Sequence, residues 1–226
     1  MIFKNKEEKF KQDKVLYESA ITEAKKVEPL KSGERVMHTM WILLRILKEQ
    51  NINGDVLEIG TKKGKTTVFL ANILSHMYNE IPHLYSIDPF SIDGAKKSLK
   101  SEANQIDSIY KTFLHHTKNL KNHTHFRCSS ENLVTLLPPN CNLMLTFIDG
   151  EHTFEAVIRD FTNVFDMTVD NGIIAVDDFQ SGTWLGVPKA FAEILKIYDD
   201  AIKIQKKTAK TVFVRKIKHV SRPSII

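Results

Sequence analysis

Acidic residues end three of the apolar segments of this sequence, and they are the residues best suited to do chemistry. Glu58 lies in VLEIG, Asp149 follows LTFI, and the adjacent pair Asp177 and Asp178 follows GIIAV. Carboxylates are seldom buried without a partner. In open α/β sheets, ligands bind at the carboxyl ends of the strands. If these runs are strands, a bound cofactor and a hard cation such as Mg²⁺ would explain acids collected at that edge.

The segment VLEIGTKKGKTT, residues 56–67, is typical of a strand, a glycine-containing turn and a helix start. Glycine permits a tight turn and a close approach to a ligand, and a helix N-terminus offers free N–H groups. The spacing fits neither the phosphate-binding loop nor the dinucleotide fingerprint. Glu58, two residues before Gly60, would repel a pyrophosphate but suits a cationic group such as an amino acid's ammonium. A purely structural turn is the alternative interpretation.

Four further polar residues follow predicted strands. Asp88 ends the run LYSI, where an acid accepts hydrogen bonds from ribose hydroxyls or caps a turn. Ser129 and Ser130 precede a short helix, so they either cap it or contact a purine ring. His152, three residues after Asp149, should face the same cleft, and beside a metal and a cofactor it is a candidate general base. A structural histidine is the alternative.

Short apolar runs alternate with helical patterns from residue 55 onward. The predicted strands are Val56–Ile59, His83–Ile87, Thr124–Cys128, Leu143–Ile148, Gly172–Val176, Ile202–Lys206 and Thr211–Lys216. The predicted helices between them are Lys65–Tyr78, Lys96–Lys118, Glu131–Leu137 and Thr153–Val169. Alternation of this kind implies right-handed βαβ units and a mostly parallel sheet with helices on both faces. The last two strands are too close for a crossover helix, so they should form an antiparallel hairpin.

The first 50 residues predict two helices, separated near Pro29 and Gly33. The second helix, from Glu34 to Gln50, has an apolar stripe wide enough to be largely buried. We therefore expect residues 1–50 to be a helical cap, residues 51–218 to form an α/β domain and residues 219–226 to form a tail. The apolar N-terminal helices are also compatible with a homo-oligomer.

Composition limits the classes of protein to consider. The chain has 226 residues, 42% hydrophobic and 26% charged, with a net charge of +5. These values are ordinary for a globular protein and do not require a nucleic-acid partner. Cys128 and Cys141 form no disulfide framework, the N-terminus resembles no signal peptide, and the longest apolar run is interrupted by Arg45. We therefore expect a cytoplasmic protein with no membrane segment. The basic run from Lys203 to Arg222 fits a solvated edge better than an anion-binding surface.

Together these segments resemble the class I S-adenosylmethionine-dependent methyltransferases, which have a three-layer Rossmann-like fold. The resemblance is greatest to the macrocin- and mycinamicin-type sugar O-methyltransferases and cephalosporin-hydroxylase-like proteins, with catechol-type O-methyltransferases nearby. It covers about residues 34–216 and is carried by VLEIGTKKGKTT, LYSIDPF, FIDGEHTFEAVIRDF and NGIIAVDDFQSGTWLGVPKAF. The segment IDGEHTFE, followed by GIIAVDD, is its most specific part.

The resemblance implies a seven-stranded sheet with an antiparallel last strand. It also implies roles for individual residues. The methionine part of the cofactor would be surrounded by Glu58, Gly60, Thr61, Gly64 and Thr66. Asp88 would hold the ribose, and Ser129 and Ser130 would lie near the adenine. Asp149 would lie beside the cofactor and, with Asp177 and Asp178, would bind Mg²⁺. His152 occupies the position of a proposed general base.

Two features depart from the family pattern. Lys62 stands where many class I enzymes have a middle glycine, and the chain lacks the large N-terminal domain of the mycinamicin-type enzymes. The cover over the substrate must then come from residues 1–50, residues 90–122 or another subunit.

Trp184, in the loop after Asp178, either lines the cleft or packs in the core.

The function implied is Mg²⁺-assisted O-methylation of a small hydroxylated acceptor resembling a sugar, a polyketide or a catechol. Two alternatives keep the fold: a hydroxylase-like or metal-independent relative, and a non-catalytic cofactor-binding module. A nucleic-acid methyltransferase is disfavoured, because Asp149-Gly-Glu-His152 replaces the [ND]-P-P-[YFW] motif that such enzymes carry after the fourth strand.

Overall fold

The computed structural model describes residues 2–30, 33–90 and 99–218, with side chains from residue 11 onward except those of residues 99–106. The predicted tail 219–226, and residues 96–98 of the predicted helix Lys96–Lys118, lie outside the described residues. The α-helices are α1 Ile2–Val27, α2 Glu34–Glu49, α3 Lys65–Met77, α4 Leu99–Thr117, α5 Leu133–Leu136, α6 Phe154–Met167 and α7 Gly186–Ile197. The strands are β1 Asp55–Ile59, β2 Leu84–Ile87, β3 His123–Phe126, β4 Leu143–Ile148, β5 Thr168–Val176, β6 Ile202–Lys207 and β7 Val212–Lys216.

The strands form one seven-stranded sheet in the order β3-β2-β1-β4-β5-β7-β6. Strands β3, β2, β1, β4 and β5 pair in parallel, whereas β7 is antiparallel to both β5 and β6. The strand order reverses at β1, next to β4, and such a switch point opens a crevice at the carboxyl edge of the sheet. The predicted Rossmann-like fold, with its antiparallel C-terminal hairpin, is confirmed.

Two apolar cores cover the two faces of the sheet. Successive residues of a strand point to opposite faces, so Val56 of β1 joins one core and Leu57 joins the other. The first core packs α1, α2 and α3 on the sheet and includes Trp41 and Phe69, both almost fully buried. The second packs α5, α6 and α7 on the opposite face, with Phe161 at its centre. Burying each large apolar side chain contributes roughly 1.5–3 kcal/mol.

Two elements differ from the sequence-based expectation. Helix α7 was not predicted, although Val187, Ala190 and Ile194 recur at helical spacing and are buried against the second core. Strand β5 begins at Thr168 instead of Gly172. Its pairing with β4 is irregular there, and Asn171 adopts a left-handed conformation with φ of 65°. A short irregular start of this kind has no apolar alternation by which to recognise it.

No helix among the described residues has the length and apolar character that crossing a bilayer needs.

Lys216 of β7 is a buried cation that joins the hairpin to the end of α6. Its side chain is 3% exposed, and its Nζ donates to the carbonyl oxygens of Phe165, at 3.0 Å, and Thr168, at 2.7 Å. Burial lowers the pKa of Lys216, and the nearby charges of Asp170 and Asp166 oppose that shift. A cation at the carboxyl end of a helix also interacts favourably with the helix dipole.

We expect Lys216→Ala to lower the free energy of unfolding by about 2–3 kcal/mol, because it leaves two buried carbonyl groups without a donor and opens a cavity. Urea denaturation would measure the loss. Lys218→Ala is the matched control, since Lys218 pairs with Asp200 at the surface, where such pairs contribute about 0–1 kcal/mol. Equal stabilities for the two variants would contradict the assigned role.

Candidate active site

The loop between β1 and α3 lies directly against the end of β4. Gly60 and Gly64 both have φ of +88°, and Lys62 between them has φ of 51°. A Cβ atom on Gly60 would lie 1.9 Å from the backbone oxygen of Asp149, so no other residue fits there. The loop therefore turns tightly over the carboxyl edge of the sheet, and Thr66, in the first turn of α3, follows it.

Asp88, at the end of β2, holds this loop in place. Its Oδ2 accepts hydrogen bonds from the backbone N–H groups of Thr61 and Lys62, both at 2.7 Å. Its Oδ1 accepts a third from the N–H of Phe90, at 2.5 Å. The bond from Phe90 agrees with the turn-capping alternative, whereas the bonds to the β1 loop were not predicted. The contact of Asp88 with a ribose stays a prediction.

Glu58 is an acid inside the sheet edge. It is 1% exposed, and its Oε2 accepts a hydrogen bond of 2.5 Å from the hydroxyl of Thr67. Burial raises the pKa of Glu58 to about 8, helped by the charges of Asp149 and Asp88, while the Thr67 hydrogen bond and Lys65 oppose the shift. This carboxyl group is therefore mostly protonated at neutral pH, and a cation beside it would favour its ionisation.

A second group of ligand atoms gathers at the ends of β4 and β5. One ligand atom each from Asp149, His152 and Asp178 lies within 4.8 Å of the others. The Nε2 of His152 lies 3.5 Å from a carboxylate oxygen of Asp178 and 3.8 Å from one of Asp149. On the far side of Asp178, the Nζ of Lys210 lies 3.6 Å from its other oxygen. These three residues, Asp149, His152 and Asp178, are called the acidic cluster below.

Asp177 and Asp178 are adjacent in sequence but point to different partners. The backbone of Asp178 is left-handed, with φ of 52°, a conformation that costs a residue with a side chain about 1–2 kcal/mol. Asp177 instead accepts a hydrogen bond from the hydroxyl of Thr211. Burial, with the charge of Asp149, raises the pKa of Asp177 to about 6, against the Thr211 hydrogen bond. Desolvation also raises the pKa of Asp149, and His152 opposes that shift.

The loop before α7 covers His152. The indole of Trp184 stacks on the imidazole, with ring centroids 4.7 Å apart and planes 19° apart. Gly186, at the start of α7, lies so close that a Cβ atom there would be 2.3 Å from the backbone oxygen of His152. Trp184 is 39% exposed, so it shields one face of the imidazole without burying the cluster.

The two serines after β3 have different partners. Ser129 caps the following turn, where its hydroxyl accepts from the N–H of Glu131 at 3.3 Å. Ser130 is buried and donates a 2.8 Å hydrogen bond to Asp160 of α6. Asp160 is fully buried, and its Oδ2 has no hydrogen-bond partner among the described residues. Adenine contacts by either serine stay predictions.

Asp160 was missed at the sequence level. The sequence does indicate that Asp160 is buried, because it lies three residues after Val157 and four before Val164, on the apolar stripe of α6.

The residues present fit a cationic cofactor and a divalent metal ion. The buried hydroxyl of Thr61, three residues after Glu58, has no hydrogen-bond partner among the described residues, so it is available to a ligand. The acidic cluster offers carboxylate oxygens, which suit Mg²⁺, and an imidazole, which suits transition metals better. The two groups meet at Asp149, which follows β4 and raises the pKa of Glu58 by its charge.

A family model described as a methyltransferase domain matches residues 57–179, more than half of the chain. The chain belongs to this family. It is therefore an S-adenosylmethionine-dependent methyltransferase, and the matched range runs from the glycine loop through the acidic cluster.

Known proteins resemble this methyltransferase over most of its length. The uncharacterized protein R132 of Acanthamoeba polyphaga mimivirus is 28% identical over 169 residues, which cover 74% of this chain and 70% of that protein. The O-methyltransferase NovP has a similar fold, with a TM-score of 0.65 at 16% identity, covering 82% of this chain and 81% of NovP. The TDP-rhamnose 3'-O-methyltransferase CalS11, of calicheamicin biosynthesis, gives a TM-score of 0.54 at 16% identity, covering 87% and 93%.

The buried carboxyl group of Glu58 predicts an unusual dependence of stability on pH. A folded-state pKa near 8, above the ordinary 4.5, means that the folded protein binds this proton more tightly than the unfolded chain. The contribution is greatest at low pH and is lost as the pH rises through 8. We expect the ligand-free protein to lose at least about 1 kcal/mol of unfolding free energy between about pH 6.5 and 8.

Urea denaturation across that range measures the decline, and Glu58→Gln should flatten it. Glu49→Gln, at an exposed position of α2, is the control and should leave the decline unchanged. A Glu58→Gln variant with the same pH dependence as the unmodified protein would show that another group titrates.

Proposed function

We propose that this methyltransferase transfers the methyl group of S-adenosylmethionine to a hydroxyl oxygen of a small acceptor, with the help of Mg²⁺. The observation that carries the proposal is the acidic cluster, in which two carboxylates and an imidazole lie together beside the buried Glu58. NovP is an O-methyltransferase and CalS11 acts on TDP-rhamnose, so similar folds support a sugar-like acceptor.

Glu58 is the proposed partner of the cofactor's ammonium group. A buried carboxyl group that is neutral without a ligand gains most from a cation placed beside it. The turn at Gly60 packs the β1 loop on the end of β4, and Thr61 of that loop offers a buried hydroxyl. When bound, S-adenosylmethionine would supply a methyl group activated by its sulfonium. Asp88, Ser129 and Ser130 are proposed to line the rest of the cofactor site.

Asp149 and Asp178 are the proposed carboxylate ligands of Mg²⁺, and Asp177 is the predicted third. Bound Mg²⁺ would lower the pKa of an acceptor hydroxyl and orient it. Because Asp177 accepts a hydrogen bond from Thr211, the geometry favours Asp178 over Asp177 as a ligand.

His152 is the proposed general base. The Nε2 of His152 would accept the proton that the acceptor hydroxyl loses when its oxygen takes the methyl group. Asp149 and Asp178 lie within 4 Å of this nitrogen, so their charges would stabilise the imidazolium that forms. The indole of Trp184 stacks on the imidazole of His152 and so fixes its orientation. The main contribution of the site would then be to align the acceptor hydroxyl with the methyl group.

Binding of S-adenosylmethionine should release a proton from Glu58. At pH 7 a carboxyl group with a pKa near 8 is mostly protonated, and the ligand's ammonium favours the charged form. We expect the affinity to rise from about pH 6 to 7, where that ammonium stays mostly protonated. Calorimetry at pH 7 in buffers of different ionisation enthalpy would count about one proton released.

Glu58→Gln should abolish this release and weaken binding about tenfold or more. The same substitution at an exposed glutamate, Glu49→Gln, is the control and should change neither quantity. Undetectable binding of S-adenosylmethionine to the unmodified protein would contradict the proposed cofactor site, whereas binding without proton release would contradict the role of Glu58 alone.

The metal proposal is tested by comparing neighbouring acids. Asp178→Asn should weaken Mn²⁺ binding, followed by electron paramagnetic resonance, at least tenfold. Asp177→Asn should weaken it less, because this carboxylate is hydrogen-bonded to Thr211.

EDTA should abolish methyl transfer to a hydroxylated acceptor. His152→Ala should lower kcat about 10²–10⁴-fold and retain Mn²⁺ binding if His152 is a base.

Loss of Mn²⁺ binding in His152→Ala would instead make His152 a metal ligand. Methyl transfer unchanged by both EDTA and His152→Ala would refute the mechanism and favour a metal-independent relative.

A further inference from the structure

A large cavity lies between the N-terminal helices and the C-terminal hairpin, outside the residues assigned above to cofactor and metal. Its volume is about 1110 Å³, somewhat above the range of roughly 300–1,000 Å³ that small-molecule sites occupy. We call it the cap cavity. It is lined by Lys14 and Tyr17 of α1, by Glu34, Arg35, Val36, His38, Thr39 and Trp41 of α2, and by Lys206, Lys207, Thr208, Ala209 and Lys210 of the hairpin.

The charges around the cap cavity are mostly positive. Basic side chains reach it from three elements, and Glu34 is the acid among its lining residues. Lys14 lies 3.9 Å from Glu18, so its charge is partly balanced. Arg35, Lys206 and Lys207 form no ion pair with the part of the chain that the structure describes, and all three are exposed. Cations lining a concave surface concentrate their field there and attract anions.

The cap cavity shares a wall with the acidic cluster. Strands β6 and β7 are joined at the carboxyl edge of the sheet, where β5 ends. The N–H of Phe179 donates to the carbonyl oxygen of Lys210 at 3.0 Å, and the Lys210 side chain lies 3.6 Å from Asp178. Lys210 therefore borders both places, with its backbone bonded to the segment that follows β5 and its side chain beside the cluster.

We propose that the cap cavity binds the phosphate-bearing part of the methyl acceptor, which makes the acceptor a phosphorylated or nucleotide-linked hydroxyl compound. This inference rests on the proposed function, because the acceptor hydroxyl must reach the acidic cluster. Arg35 presents a planar group that binds phosphate oxygens in pairs, and Lys206 and Lys207 add point charges. The Nζ of Lys207 also lies 5.7 Å from the centre of the Phe179 ring. Tyr17 and Trp41 give the wall an apolar part.

The geometry favours a small phosphorylated molecule over a nucleic acid. Beyond Lys210 the surface changes sign, because Asp178, Asp149 and Asp177 follow within the same edge of the sheet. An extended polyanion crossing this edge would meet those carboxylates and be repelled. A compact ligand can place its phosphates in the cap cavity and its uncharged hydroxyl group at the cluster.

Calorimetric titration of the full chain with uridine diphosphate tests the inference. EDTA should be present throughout, so that no metal ion bridges the phosphates to the acidic cluster. We expect binding that weakens as salt rises. The double variant Lys206→Ala/Lys207→Ala should bind about tenfold more weakly, because charge-assisted contacts to phosphate are lost. The control Lys196→Ala/Lys203→Ala removes the same charge from exposed lysines outside the cavity and should change affinity less than about twofold.

S-adenosylmethionine binding, measured on each variant, separates this inference from the proposed function. Normal binding of S-adenosylmethionine without binding of uridine diphosphate at millimolar concentration would overturn the cap-cavity proposal alone. Equal affinities in the two double variants would overturn it as well. So would tight binding of a single-stranded oligonucleotide that uridine diphosphate fails to displace, since that result identifies an extended polyanion as the ligand.

Discussion

The contact between the backbones of Gly60 and Asp149 is the constraint on which the whole site depends. Gly60 adopts φ of +88° and leaves no space for a side chain, so the β1 loop packs directly on the end of β4. Asp88 then fixes the same loop to β2 through two backbone N–H groups. Three strand ends are joined in this way, and the positions of Glu58, Thr61 and His152 follow from that junction.

This close junction concentrates acids that oppose one another. Burial and mutual repulsion raise the pKa of Glu58 and Asp177, and desolvation raises that of Asp149. Such an arrangement lowers the stability of the ligand-free protein, and the two apolar cores must offset the cost. The same repulsion favours binding of positive charge, because a cationic ligand or a metal ion removes the cost that the folded chain carries.

The sheet could be predicted from the sequence because its strands are short apolar runs with clear ends. Every strand was recovered, with small errors at the ends except at β5, whose irregular start includes a left-handed Asn171. Helix α7 was not predicted, although its buried positions follow the usual helical periodicity.

Side-chain partners were the part of the site that the sequence could not supply. The sequence grouped Asp177 and Asp178 together, but Asp177 bonds to Thr211 and Asp178 lies beside His152, because adjacent residues point in different directions. The partnership of Ser130 with Asp160 and the stacking of Trp184 on His152 join residues at least 30 positions apart. No local spacing encodes such pairs, since they depend on how separate segments of the chain pack.

The C-terminal hairpin gains a second role from its place in the fold. Lysines on an edge strand discourage aggregation, which alone would explain the basic residues of β6. Lys206, Lys207 and Lys210, however, lie at the turn that meets α1 and α2, where they line a cavity. Because β7 is antiparallel to β5, that turn must lie beside the acids that end β5. The topology itself therefore places a positive surface next to a negative one, and a ligand carrying both an anionic group and a neutral hydroxyl has one favourable orientation across them.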